Sequence, residues 1–212
     1  MVRVHVDAAA PDADAIERVA RLIRRGAVIA IPTDTLYGLA ADPGNPAAVE
    51  RIFAIKGRQA GQALPLVAAD RDQVVGYVGA LGPLADRLAV RFWPGPLTLV
   101  VAAPPHLAPG VTGGTATVGI RVPAHAVTRA LCAACAHPIT ATSANRSGEP
   151  ATELPDAVVA ALGDRLDGLV DAGATAGGAP STLVDTTGDR PRLLRSGAIS
   201  WDDIERCLQL EP

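Results

Sequence analysis

The chain has 212 residues and a formal charge of -3, with 49% apolar, 19% charged and only 3% aromatic residues. That length supports one substantial core and at most two domains at roughly 100–200 residues each. The charge argues against a broadly basic nucleic-acid surface, and no apolar run approaches the roughly 18 residues of a membrane span. Met1 to Asp14 lacks the basic start and apolar middle of a signal peptide, so the expected location is the cytoplasm, with no membrane partner. With so few aromatics the core must be built from Ala, Val, Leu and Ile, which suits a compact α/β protein.

In chain order, Val2 to Val6 reads as a short strand and Pro11 to Arg25 as a helix, with Ile16, Val19, Ala20, Leu22 and Ile23 at helical spacing and Gly26 as its stop. Ala27 to Ile31 is a continuous β-rich apolar run that reads as a buried strand, ending in the polar cluster Pro32-Thr33-Asp34-Thr35-Leu36-Tyr37-Gly38-Leu39. Loops beyond strand ends are where open α/β sheets bind ligands, and two hydroxyls flanking a carboxylate supply short donors and acceptors. An ordinary turn with local hydrogen bonds fits the same residues. Asn45-Pro46 marks a helix start, and Val49, Ile52 and Phe53 carry that helix to Ala54 or Ile55.

Lys56 follows, the only lysine among 19 basic residues. A lysine is a compact point charge able to reach between phosphate oxygens, whereas a helix C-terminus favours any cation, so phosphate binding and a structural role both fit it. Gly57 to Ala63 is a loop before the strand Leu64 to Ala68. Helices follow over Asp70 to Val78 and Leu84 to Phe92, then the break Trp93-Pro94-Gly95-Pro96 and the strand Leu97 to Ala102. After the Pro- and Gly-rich stretch Pro104 to Thr115, the strand Thr117 to Val122 carries Arg121, which needs an anionic partner from protein or ligand if buried. Val127 to Ala136 is an Ala-rich helix with Cys132 and Cys135, which read as small core residues rather than a metal or redox pair. A second hydroxyl-rich turn, Thr142-Ser143-Ala144-Asn145-Arg146-Ser147-Gly148, follows the strand Pro138 to Ala141. Ser181-Thr182 opens a third such element before Leu183 to Asp185, and Pro191 to Arg195 and Trp201 to Leu208 close the chain as strand and helix. No repeat or linker marks a second domain, so residues 1–212 read as one. Neither a GxxxxGK[ST] loop nor a GxGxxG turn is present, so bound phosphates would be held by scattered cations and hydroxyls.

The ordered set Pro32 to Leu39, Lys56-x-Arg58, Trp93 to Thr98, Gly119-Ile120-Arg121-Val122-Pro123, Ser143-Ala144-Asn145, Ser181-Thr182 and Arg195-Ser196-Gly197 resembles the YrdC-like family of L-threonylcarbamoyladenylate synthases, over nearly the whole chain. The resemblance implies a three-layer α/β fold with a twisted mixed β-sheet flanked by helices, in the short, single-domain form of the family. It implies formation of L-threonylcarbamoyl-AMP and pyrophosphate from L-threonine, bicarbonate and ATP, with Mg2+ accompanying ATP. It also implies delivery of the product to tRNA threonylcarbamoyl transferase proteins, and leaves room for weak tRNA binding.

By the same resemblance Lys56 and Arg58 are the catalytic pair and hold the ATP phosphates, with Thr117, Ser143, Asn145 and Arg195 on the nucleotide side. Thr33, Arg121 and Ser181 contact L-threonine, and no residue is assigned to the metal. The chain departs from the family pattern at Gln59, where proline is common, and at Leu64 before Pro65-Leu66, with an intervening loop two residues longer. A non-catalytic RNA-binding paralogue is the alternative expectation.

Overall fold

The structure is a computed structural model and describes residues 1–57 and 61–209. Arg58 and Gln59 lie outside the described residues.

Local chemistry accounts for the elements. After β1 (Val2–His5), α1 (Ala13–Arg24) starts where the Asp12 carboxylate accepts the Ala15 N–H at 2.7 Å. Strand β2 (Ile29–Ile31) turns back into β3 (Gly38–Ala40). Helix α2 (Pro46–Lys56) is capped by Asn45, whose Oδ1 accepts the Ala48 N–H at 3.2 Å, and it ends at Gly57 with φ 61°. That left-handed residue suits glycine and fixes Lys56 in the last helical position. Then come β4 (Leu66–Val67), α3 (Arg71–Val78), α4 (Pro83–Phe92) and β5 (Leu97–Ala102). They are followed by the single turn α5 (Pro109–Thr112), β6 (Thr117–Arg121) and α6 (Ala126–Cys135). The expected strand at Pro138 to Ala141 is two short ones, β7 (Ile139–Thr140) and β8 (Thr142–Ser143). The last third holds α7 (Pro155–Leu162), β9 (Gly168–Asp171), β10 (Thr182–Asp185), β11 (Arg192–Arg195) and α8 (Trp201–Gln209).

The fold class is α/β, and the expected mixed sheet takes the form of two mixed ladders flanked by helices. One has the order β1-β9-β2-β3-β8 and the other β11-β10-β5-β6-β4-β7. They meet where the chain passes from β7 to β8: the Ala41 N–H donates to Thr140 Oγ1 at 2.8 Å, and the Thr140 N–H donates back to the Ala41 carbonyl at 3.0 Å. β9, unassigned from sequence, pairs in parallel with both β1 and β2 and is buried throughout.

Two apolar clusters hold the layers together. The smaller packs α1 and α6 onto the first ladder through Ile23, Ile31, Leu131, Cys132 and Val170. The larger joins the helices on the other side to both ladders through Tyr37, Leu39, Ile52, Leu88, Leu99 and Ile120. Each fully buried Leu or Ile contributes roughly 1.5–3 kcal/mol. Cys132 and Cys135 belong to the first cluster: the Cys132 thiol donates to the Val67 carbonyl at 3.3 Å, and burial pushes the Cys135 thiol up to about 12.

Candidate active site

A cavity of about 690 Å³ opens between the ladders, within the size range of small-molecule sites. Its walls are Thr33 and Thr35 to Gly38 leading into β3, β5 and β6 with Thr98, Gly119 and Arg121, β8 with Ser143, Ser181 just before β10, and β11 with Arg195. The three hydroxyl-rich strand ends read from the sequence therefore converge.

The first is a self-bonded turn. Thr33 Oγ1 donates to the Leu36 carbonyl at 2.8 Å, accepts the Thr35 N–H at 3.2 Å, and lies 3.2 Å from Thr35 Oγ1. The Thr33 side chain lines the cavity with its proton committed inside the turn. The cluster is an ordinary turn with local hydrogen bonds, and Thr33 and Thr35 of that turn also line the cavity.

Arg121 finds its anion in the protein. Its Nη1 donates to Asp34 Oδ1 at 2.8 Å and its Nη2 to Thr33 Oγ1 at 3.3 Å, while Asp34 Oδ2 accepts the Ala124 N–H at 3.1 Å. Both charged side chains are only 8% exposed. Burial pulls the Arg121 pKa below its ordinary range, the Asp34 carboxylate opposes that shift, and the Arg195 charge adds to it.

At the far wall Ser181 Oγ lies 2.8 Å from Thr98 Oγ1, and Arg195 Nη2 donates to the Ser181 carbonyl at 2.7 Å and to Ser181 Oγ at 3.1 Å. Burial lowers the Arg195 pKa too, and no ion pair to Arg195 is formed among the described residues. Thr117 lines the same cavity, its hydroxyl 3.1 Å from that of Thr115.

Lys56 stands one layer further out. It is 4% exposed and is not among the cavity-lining residues; its Nζ donates to the carbonyls of Ser143 and Asn145 and to Asn145 Oδ1, the last two at 3.0 Å. Ser143 Oγ donates to Asn145 Oδ1 at 2.6 Å, so lysine, serine and asparagine form one network that reaches the cavity through Ser143. Thr33, Thr117, Arg121, Ser143, Ser181 and Arg195 thus share the cavity wall, Lys56 and Asn145 back it, and Arg58 lies outside the described residues.

Sequence reasoning assigned no site role to Thr98, Thr115 or Tyr37, which also line the cavity, although Tyr37 and Thr98 fall within motifs it quoted. Thr98 was within reach, since the strand signal begins one residue earlier at Leu97 and alternate positions of a strand share a face. The Tyr37 phenol donates to the Gly173 carbonyl at 2.8 Å, and burial raises its pKa to about 12. The Glu, Asp, His and Cys side chains of the described residues form no group of three suited to a metal ion.

A mixed α/β shell encloses a cavity walled by hydroxyls and two guanidinium groups, a lining of donors chemically suited to an anionic small molecule. The chain belongs to the Sua5/YciO/YrdC family, whose model, described as telomere recombination, matches residues 21–197. It is 40% identical over 194 residues to a threonylcarbamoyl-AMP synthase of Bacillus subtilis, covering 91% of this chain and 56% of that protein. It is 40% identical over 163 residues to a threonylcarbamoyl-AMP synthase of Thiobacillus denitrificans, covering 77% of this chain and 86% of that one. Among solved structures it resembles Pyrococcus abyssi Sua5 complexed with L-threonine, with a TM-score of 0.93 at 35% identity over 99% of this chain and 61% of that chain. The chain thus spans just over half the length of the Bacillus relative.

Proposed function

We propose that this chain is an L-threonylcarbamoyladenylate synthase, forming L-threonylcarbamoyl-AMP and pyrophosphate from L-threonine, bicarbonate and ATP. The observation that carries the reading is the convergence of Thr33, Thr117, Arg121, Ser143, Ser181 and Arg195, separated by up to most of the chain, on one cavity. The names borne by the Bacillus and Thiobacillus relatives, and the threonine complex of the Pyrococcus structure, favour it.

The reaction follows in two steps. The threonine amine adds to bicarbonate-derived CO2, losing a proton and giving a carbamate. A carbamate oxygen then attacks the ATP α-phosphorus in line, the bond to the bridging oxygen breaks, and pyrophosphate leaves with its electron pair. No covalent enzyme intermediate is needed, so the protein's work is alignment and charge stabilisation. Arg121, Thr33 and Ser181 are the proposed threonine end. Arg195, Thr117 and Ser143 are the nucleotide end, supported from behind by Lys56 and Asn145, with Arg58 also assigned to the phosphates.

Mg2+ is the proposed ATP counter-ion. Asp34 is committed to Arg121 and the Ala124 N–H and the described residues hold no group of three metal ligands, so phosphate oxygens and water would supply most of its shell, in keeping with an ion that retains several waters. Its contribution is to neutralise phosphate charge. The product, a mixed anhydride, passes to a tRNA threonylcarbamoyl transferase in the cytoplasm.

The deciding experiment is mass detection of threonylcarbamoyl-AMP from purified protein, ATP, Mg2+, threonine and bicarbonate, with pyrophosphate release that needs both threonine and bicarbonate. Salt-dependent RNA affinity without turnover would overturn this reading in favour of an RNA-binding paralogue.

A further inference from the structure

Asp34 is a buried charge paired to Arg121 just behind the cavity wall, and the proposed reaction assigns it no ligand. We propose that Asp34 is a positioning residue which pins one edge of the Arg121 guanidinium, so that the free part of its fork faces the cavity and receives the carboxylate of an α-amino acid. This deepens the synthase reading and rests on it for the identity of the ligand.

The geometry is specific. An arginine has five N–H donors in a fixed plane. Among the described residues Arg121 uses one Nη1 hydrogen on Asp34 Oδ1 at 2.8 Å and one Nη2 hydrogen on Thr33 Oγ1 at 3.3 Å. The remaining three donors belong to a side chain that is 8% exposed and lines the cavity. Asp34 cannot swing away, because its second oxygen holds the Ala124 N–H at the β6–α6 connection. The carboxylate is therefore held by backbone, the guanidinium is held by the carboxylate, and the three donors left over belong to a residue that lines the cavity. A ligand carboxylate that meets a preset fork gains affinity because the ordering of the arginine is already complete before it binds.

Charge and orientation make opposite forecasts, and that separates this role from a generic ion pair. If Asp34 only cancelled positive charge, its removal would strengthen the attraction of Arg121 for an anion. If it sets orientation, removal weakens carboxylate binding although the net charge becomes more favourable. Asparagine keeps the size but offers one acceptor where two are used, so Asp34→Asn must release either Arg121 or Ala124.

The test is a kinetic cycle on the full chain with Asp34→Asn, Arg121→Lys and the double variant. Asp34→Asn is expected to raise the threonine KM at least about tenfold with the ATP KM within about twofold, and to add little in the Arg121→Lys background. An unchanged or lowered threonine KM, or independent effects in the cycle, overturns the proposal. A second readout does not depend on turnover or on the variants folding: in arginine-labelled wild-type protein, the Arg121 Nη nitrogens should give separate, slowly rotating NMR signals without ligand. Rapidly averaged Arg121 signals overturn it as well. If wild-type protein releases no pyrophosphate while Arg121 is rigid, it is the synthase reading that fails and the Asp34 pinning that stands.

Discussion

Thr98 on β5 meets Ser181, the residue just before the parallel strand β10, their hydroxyl oxygens 2.8 Å apart and both residues buried. The register of β5 on β10 brings Thr98 opposite Leu183 and Leu97 opposite Thr182, so the contact depends on a pairing between segments 83 residues apart. With Arg195 donating to Ser181 Oγ at 3.1 Å, the serine proton can go either to Thr98 or to a ligand. Thr98→Val should cost about 1 kcal/mol in urea unfolding and lower kcat/KM for threonine about tenfold, while Thr98→Ser stays near wild type. Equal behaviour of the two variants would remove Thr98 from the site.

Lys56 makes a different forecast because it is buried behind the cavity wall. Its ammonium satisfies the Ser143 and Asn145 carbonyls and Asn145 Oδ1, and Lys56→Met leaves all three without that donor. Losing a buried charged donor of this kind should destabilise the fold by roughly 2–4 kcal/mol in addition to abolishing pyrophosphate release. A lysine acting only on ligand phosphates would lose activity at unchanged stability, so urea unfolding beside a pyrophosphate assay separates the two roles.

Lys56 also shows where sequence reading stops. Its position at a helix C-terminus is legible from Asn45-Pro46, the apolar spacing and Gly57, because capping is local chemistry. Its acceptors lie 87 and 89 residues away, and no local pattern points to them. The same holds for Asp34 and Arg121: each is readable as a charge in need of a partner, and the 87-residue span between them is not. Strand β3 is Gly-Leu-Ala, with little intrinsic strand preference, and exists through antiparallel pairing to β2 and β8. β9 offers only Leu169 and Val170 as an apolar signal, yet sandwiching between β1 and β2 buries it on all sides.

The acid limb of stability should depend on Asp171, where the first ladder is clamped. Burial works to raise its pKa, but the Gly173 N–H at 2.9 Å and Arg3, with Nε at 2.8 Å and Nη2 at 2.6 Å, hold it below its ordinary 3.8. A carboxylate lowered on folding gives stability that is complete above the unfolded value and disappears as pH falls through the folded one. Urea unfolding of wild type should therefore weaken on going from about pH 5 to pH 2, and Asp171→Asn should be less stable at neutral pH with a shallower acid slope. A slope unchanged by the substitution would shift the acid sensitivity to other carboxylates.

Gly119 gives the most direct test that the cavity is the ligand site. It sits on β6 between Thr117 and Arg121, all three lining the cavity, so β6 presents a hydroxyl, a bare backbone position and a guanidinium in alternation. A Cβ there would lie 3.2 Å from Thr98 Cγ2, 3.6 Å from Leu183 Cδ1 and 3.8 Å from Pro65 Cβ, which is tight toward one methyl and ordinary contact toward the others. Gly119→Ala should consequently fold, with a melting temperature near wild type, since a strand position gains β preference when glycine is replaced. Gly119→Val carries two further methyl groups into the space between the threonine and nucleotide ends, so it should reduce pyrophosphate release by at least about a hundredfold, with alanine in between. A folded Gly119→Val protein of full activity would mean that the reaction takes place elsewhere on the chain.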